Sequence, residues 1–92
     1  MLDDRRKRLR FRAWRRGFRE IDLILGGFAD RHVATLDASE VDAFEALLKM
    51  RDLDVYDWIT GAAAPPPEHD TALLGRLRRF MPGAPDTVTN DA

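Results

Sequence analysis

Apolar residues recur along the chain at the three-and-four spacing of amphipathic helices, and no window shows the two-residue alternation and β-branched enrichment of a strand. Phe11, Trp14, Phe18, Ile21, Leu25 and Phe28 form the first such stripe. Gly17 falls inside it. A glycine in a helix interior costs about 1 kcal/mol relative to alanine, so the stripe fits either one helix through Gly17 or two helices that break there. The first eighteen residues are helix-permissive, with Asp3 and Asp4 as acidic starters. The next helix is weakened by Gly26-Gly27 and ends near Asp30 to Val33.

A clearer start follows at Leu36-Asp37-Ala38-Ser39-Glu40. Asp37 is placed to accept from free N–H groups, and Glu40, three residues on, to reach back to the cap. Val41, Phe44, Leu47 and Leu48 then share a face. Asp52 or Asp54 is expected to cap a short helix with Val55, Trp58 and Ile59 inward and Gly61 at its end. Residues 62–67, Ala-Ala-Ala-Pro-Pro-Pro, read as a stiff linker. A last amphipathic helix carries Leu73, Leu74, Leu77, Phe80 and Met81 and stops at Pro82-Gly83. The fold class is all-α: a small single-domain bundle of about five short helices over residues 1–82, with a disordered tail over 83–92. Its expected core is Phe28, Leu36, Val41, Phe44, Leu47, Leu48, Val55, Trp58, Ile59, Leu73 and Leu77.

Size and composition narrow this picture. A chain of 92 residues buries only about 60–65% of its unfolded surface, enough for one modest core. The longest strongly apolar run, Leu23-Ile24-Leu25, is far short of the roughly 20 residues that span a bilayer, and with no hydrophobic secretion segment the expected location is the cytoplasm. The absence of cysteine excludes disulfides, thiolate metal sites and cysteine nucleophiles.

Charge is segregated. Residues 1–20 hold nine Lys/Arg against three Asp/Glu, whereas residues 21–70 hold three against eleven. A basic end suggests an anionic partner, and Arg5-Arg6-Lys7-Arg8-Leu9-Arg10-Phe11-Arg12 suits a nucleic-acid arm or a membrane-surface helix, although no membrane partner is expected. The acidic remainder opposes wholesale nucleic-acid coating, so nucleic acid stays the alternative reading.

Catalytic chemistry finds little foothold. One Ser, two His and one Tyr form no nucleophile–base–orienter pattern and no metal-ligand spacing, so neither an enzyme nor a metal site is expected. His32 and His69 read as solvated surface residues.

The segment Trp14-Arg15-Arg16-Gly17-Phe18-Arg19-Glu20-Ile21-Asp22 is the most informative. Arg16 and Glu20, four apart, fit a helical ion pair, but with the cation first the orientation is the weaker one. Arg16 also sits badly near a helix start at Gly17, where the dipole prefers anions. Local stability does not explain the arrangement, and a glycine between cations lets another backbone come close.

The string from Arg15 to Asp22 resembles the R-R-G-x-R-E-x-D core of the succinate dehydrogenase flavinylation factors, the SdhE-like flavinator family, whose hallmark R-G-x-x-E falls on Arg16, Gly17 and Glu20. A second block is similar to the family's F-x-x-L-L followed by an acidic turn and D-x-(F/Y)-x-W: Phe44, Leu47 and Leu48, then Asp52 to Ile59. Gly26-Gly27, the Pro65–Pro67 linker and the very basic first helix depart from the family pattern. The resemblance implies a small helical assembly factor, without an active site, that binds the flavoprotein subunit of succinate dehydrogenase or fumarate reductase and promotes covalent FAD attachment there. It implies no permanently held cofactor, only the FAD of the partner, and it places Arg15, Arg16, Gly17, Arg19, Glu20 and Asp22 at the partner contact. An antitoxin-type role is a further alternative. As exposed ion-pair residues, Arg16 and Glu20 are expected to tolerate alanine within about 1 kcal/mol of stability, while flavinylation of the partner falls sharply. Gly17→Ala is neutral or stabilising if the residue is helical, and Gly17→Arg obstructs docking.

Overall fold

A computed structural model describes residues 2–80. Within them the chain forms five α-helices and no strand: α1 (Asp4–Ala13), α2 (Arg19–His32), α3 (Ala38–Leu48), α4 (Asp52–Thr60) and α5 (Ala72–Arg79). Short 3₁₀ turns at Val33–Thr35 and Pro67–His69 complete the order. The all-α reading holds. Met81 and the expected tail lie outside the described residues.

The helix starts follow local chemistry. Asp3 caps α1 through the Arg6 N–H at 2.8 Å. Asp37 and Glu40 form the expected reciprocal box at α3, with the Glu40 N–H donating to Asp37 at 2.8 Å and the Asp37 N–H to Glu40 at 3.0 Å. Thr71 caps α5 through the Leu74 N–H. Gly61 ends α4 in the left-handed region at φ 89°, which suits a residue without Cβ. One expected cap is not made. Arg51 occupies the cap position of α4 with no side-chain bond, and Asp52 is the first helical residue; its carboxylate is engaged elsewhere.

The long stripe resolves into two helices. After Ala13 the N–H groups of Trp14 and Arg15 bond back to Phe11 and Arg12, closing α1 with a tight turn. Phe18 is extended at φ −152° before α2 begins. The break rotates α1 so that Leu9 and Ala13 enter the core, while Phe11 is 58% and Trp14 37% exposed. Ile21, Leu25 and Phe28 stay buried, and so does every residue of the expected core. Ile24, Val33 and Leu74 add to it.

Packing also explains Gly26. The Trp14 indole lies where a Cβ at position 26 would stand, and its Nε1–H donates to Asp30 at 3.2 Å. The glycine admits the ring that closes the α1–α2 corner.

The basic first helix is partly answered from within. Arg5 donates from Nε to Glu45 at 2.7 Å and reaches Asp42 as well, both on α3. Hydrogen bonds to Glu45 and Asp42 raise the Arg5 guanidinium above its ordinary value, and Arg5 lowers the Glu45 carboxyl in return. Arg6 Nη1 donates to the Val33 carbonyl at 2.6 Å. Part of the charge segregation thus joins α1 to α3.

His69 corrects the sequence reading. It is buried, at 8% exposure, and stacks on Trp58 with ring centres 5.3 Å apart. After the linker, Pro67 opens a 3₁₀ turn, Pro67–His69, that packs against α3 and sets the imidazole against the core. His32 is half-buried against Phe28 and Phe80. Burial, then Arg76 and Arg31, lowers its imidazole below the usual histidine range.

Candidate functional site

The Arg15–Asp22 segment occupies the corner between α1 and α2 and the first turn of α2, against the start of α4. Arg16 points inward, its side chain only 11% exposed. Its Nε and Nη2 contact Asp52 Oδ1 at 2.8 and 2.7 Å. Nη1 donates to the Leu48 carbonyl at 2.8 Å and Nη2 to the Met50 carbonyl at 3.0 Å. The guanidinium therefore closes the carboxyl end of α3, where carbonyls lack helical partners and the dipole favours a cation.

The same network holds the backbone. The Arg16 N–H donates to Asp22 Oδ1 at 2.7 Å, and the Gly17 N–H donates to Asp52 Oδ2. A Cβ at position 17 would meet that Asp52 oxygen. Gly17 is not helical, so the condition for a neutral alanine there is not met, and a Cβ would press on the Asp52 carboxylate that its N–H holds. The expected tolerance of Arg16→Ala is corrected, because this arginine ties three segments together. Arg16 and Glu20 do not pair: Arg16 precedes α2, and the helical spacing between them does not exist.

The remaining motif residues face outward. Arg15, Gly17, Arg19 and Glu20 are exposed. The Arg15 guanidinium lies over the Phe11 ring at 4.1 Å. Leu23, one turn beyond Arg19 and Glu20, is 39% exposed, and Leu53, next to Asp52, is 63% exposed. Among the described residues the exposed large hydrophobics are Phe11, Trp14, Leu23 and Leu53; Leu23 follows the motif on α2 and Leu53 follows Asp52 on α4, whereas the Trp14 ring is turned onto Gly26 and Asp30. Asp22 and Arg16 form the frame of the corner, whereas Arg15, Gly17, Arg19 and Glu20 form its exposed part.

Sequence reading missed Asp52, Leu23 and Leu53 as members of the site. For the leucines a signal existed, since each stands off the apolar stripe of its helix. Asp52 had none, because it contacts residues 35 and 36 positions away.

The family model described as flavinator of succinate dehydrogenase matches residues 7–81. The chain belongs to this family. An FAD assembly factor SdhE of Acetobacter pasteurianus is 40% identical over 76 residues, covering 83% of this chain and 70% of the relative. A mitochondrial succinate dehydrogenase assembly factor 2 of Candida glabrata is 36% identical over 83 residues, 86% of this chain and 54% of that protein. A mitochondrial succinate dehydrogenase assembly factor 2-A of Drosophila erecta is 32% identical over 85 residues, 90% of this chain and 52% of that protein. The chain thus spans about half the length of these mitochondrial relatives. In flavinator terms, the hallmark divides into an inward arginine that fixes the corner and an outward glutamate that the corner presents. Nothing in these similarities supports a nucleic-acid or antitoxin role. No described helix is long and apolar enough to cross a membrane.

Proposed function

We propose that this chain is a succinate dehydrogenase assembly factor that binds the flavoprotein subunit and promotes covalent attachment of FAD to it. Membership of the flavinator family supports the reading, and one structural observation points to a surface: Arg15, Arg19 and Glu20 of the family motif are exposed, and so is Leu23, one turn further along α2. An exposed leucine beside exposed arginines and a glutamate has the make-up of a protein-binding surface.

The flavin and the recipient protein supply the attachment chemistry, and the factor acts without an active site of its own. By binding one arrangement of the flavoprotein better than others, it shifts the population toward the attachment-competent state. Arg15, Gly17, Arg19 and Glu20 make direct contacts, with Arg16 and Asp22 holding them in place. Fumarate reductase, whose flavoprotein subunit offers the same kind of recipient, is a second partner of this proposal. The cytoplasm is the proposed site of action.

The test is covalent flavin fluorescence of the flavoprotein in denaturing gels, from cells lacking the native factor and supplied with Glu20→Ala or Leu23→Asp. Both residues are exposed, so the variants should stay within about 1 kcal/mol of the parent in stability and yet lose complex formation and flavinylation. Normal flavinylation with both variants would remove this face as the docking surface.

A further inference from the structure

A second feature lies away from the motif corner, between α2 and α5. A cleft of about 300 Å³ is lined by Phe28, Arg31, His32, Arg76, Arg79 and Phe80. Two guanidiniums lie there over two aromatic rings, and Arg79 lines the same cleft. Arg76 lies 5.5 Å from the centre of Phe28 and Arg31 lies 5.9 Å from that of Phe80. The rings themselves pack edge to face at 5.7 Å.

The charge of this cleft is only partly answered. Arg76 donates to Glu40 at 2.9 Å, and the Glu40 carboxyl is lowered first by the Asp37 N–H and then by Arg76. Among the described residues no carboxylate lies within ion-pair distance of Arg31 or Arg79 (compare the pairs formed by Arg5, Arg6, Arg16, Arg51 and Arg76). With His32 neutral, three cations and one carboxylate leave two positive charges in excess. The arginine network at the motif corner is satisfied internally; this one is not.

We propose that the cleft binds a diphosphate group, with Arg31 and Arg79 as its principal ligands. Guanidinium forks match phosphate oxygens in pairs. The Phe28 and Phe80 floor excludes water from one side, which strengthens the charge-assisted bonds. Arg76, already held by Glu40, adds field; the His32 imidazole, lowered by burial and then by Arg76 and Arg31, gains a compensating charge when an anion is bound. The site is independent of the docking face, so its failure would leave the flavoprotein reading untouched.

Inorganic diphosphate is the probe, titrated into the full chain at pH 7 while the His32 ring protons are followed by NMR. Saturable binding is expected, with the His32 titration moving upward in the bound form. Arg31→Glu and Arg79→Glu, both at exposed positions, should each weaken binding by about tenfold or more, as expected for loss of a charge-assisted ligand. Arg10→Glu, an equal change of net charge on an exposed site of α1, should leave it unchanged. Equal loss in all three variants, succinate binding more tightly than diphosphate, or no saturation would overturn the proposal. Circular dichroism confirms that each variant is folded before its titration is read.

Discussion

Removing the Arg16 side chain should unfold this protein more readily than any substitution on the outer face of the motif. Arg16→Ala deletes the ion pair to Asp52 and the bonds to the Leu48 and Met50 carbonyls. It leaves Asp52, 25% exposed, facing only the Gly17 N–H. Breaking a fully buried pair costs about 3–5 kcal/mol; partial solvent access to both partners reduces this, and the lost cap at the end of α3 adds about 1 kcal/mol. The expected loss is therefore about 2–4 kcal/mol. Urea denaturation of the full chain, followed by tryptophan fluorescence, measures it. Arg16→Lys should recover only part, since one ammonium cannot serve a carboxylate and two carbonyls in different directions. A cycle with Asp52→Ala should show a coupling of about 1–3 kcal/mol. An Arg16→Ala variant within 0.5 kcal/mol of the parent, about the size of an ordinary surface effect, would refute the structural role and return Arg16 to pure partner contact.

Other outcomes follow from the same packing. Gly26→Ala gains about 1 kcal/mol of helix propensity but displaces the Trp14 ring, so a net loss of about 1–3 kcal/mol is expected, with red-shifted tryptophan emission; unchanged stability and emission would show that the ring does not depend on the glycine. Trp58→Ala should cost about 3–5 kcal/mol, read as a lowered denaturation midpoint, because the indole is 8% exposed and covers His69. His32 has a lowered folded value, so the unfolded chain binds its proton first and stability should fall as pH drops below about 6.5, levelling once the folded imidazole protonates. In that window His32→Gln should flatten the stability–pH profile. Glu40 and Glu45, also lowered on folding, contribute stability above their ordinary value near 4.5 that is lost as pH falls through their folded values. An unaltered profile in His32→Gln would remove the histidine from that account.

The sequence alone determined what depends on neighbours in the chain. The helix periods, the Asp37–Glu40 box, the Gly61 stop and the buried faces of α3, α4 and α5 are local signals, because hydrogen bonds within a few residues and side chains repeating every 3.6 positions produce them. Family membership was legible for a similar reason, since R-G-x-x-E and the tryptophan block are linear patterns. Only the tertiary structure decided which motif residues support and which present. Arg16 and Asp52 are 36 positions apart, and nothing local to either requires their pairing. Gly26 reads as a weak point of α2 until Trp14 is folded over it. His69 reads as a linker residue until the 3₁₀ turn sets it onto Trp58. In each case the deciding energy comes from a contact between distant segments, and such contacts exist only once the helices have packed.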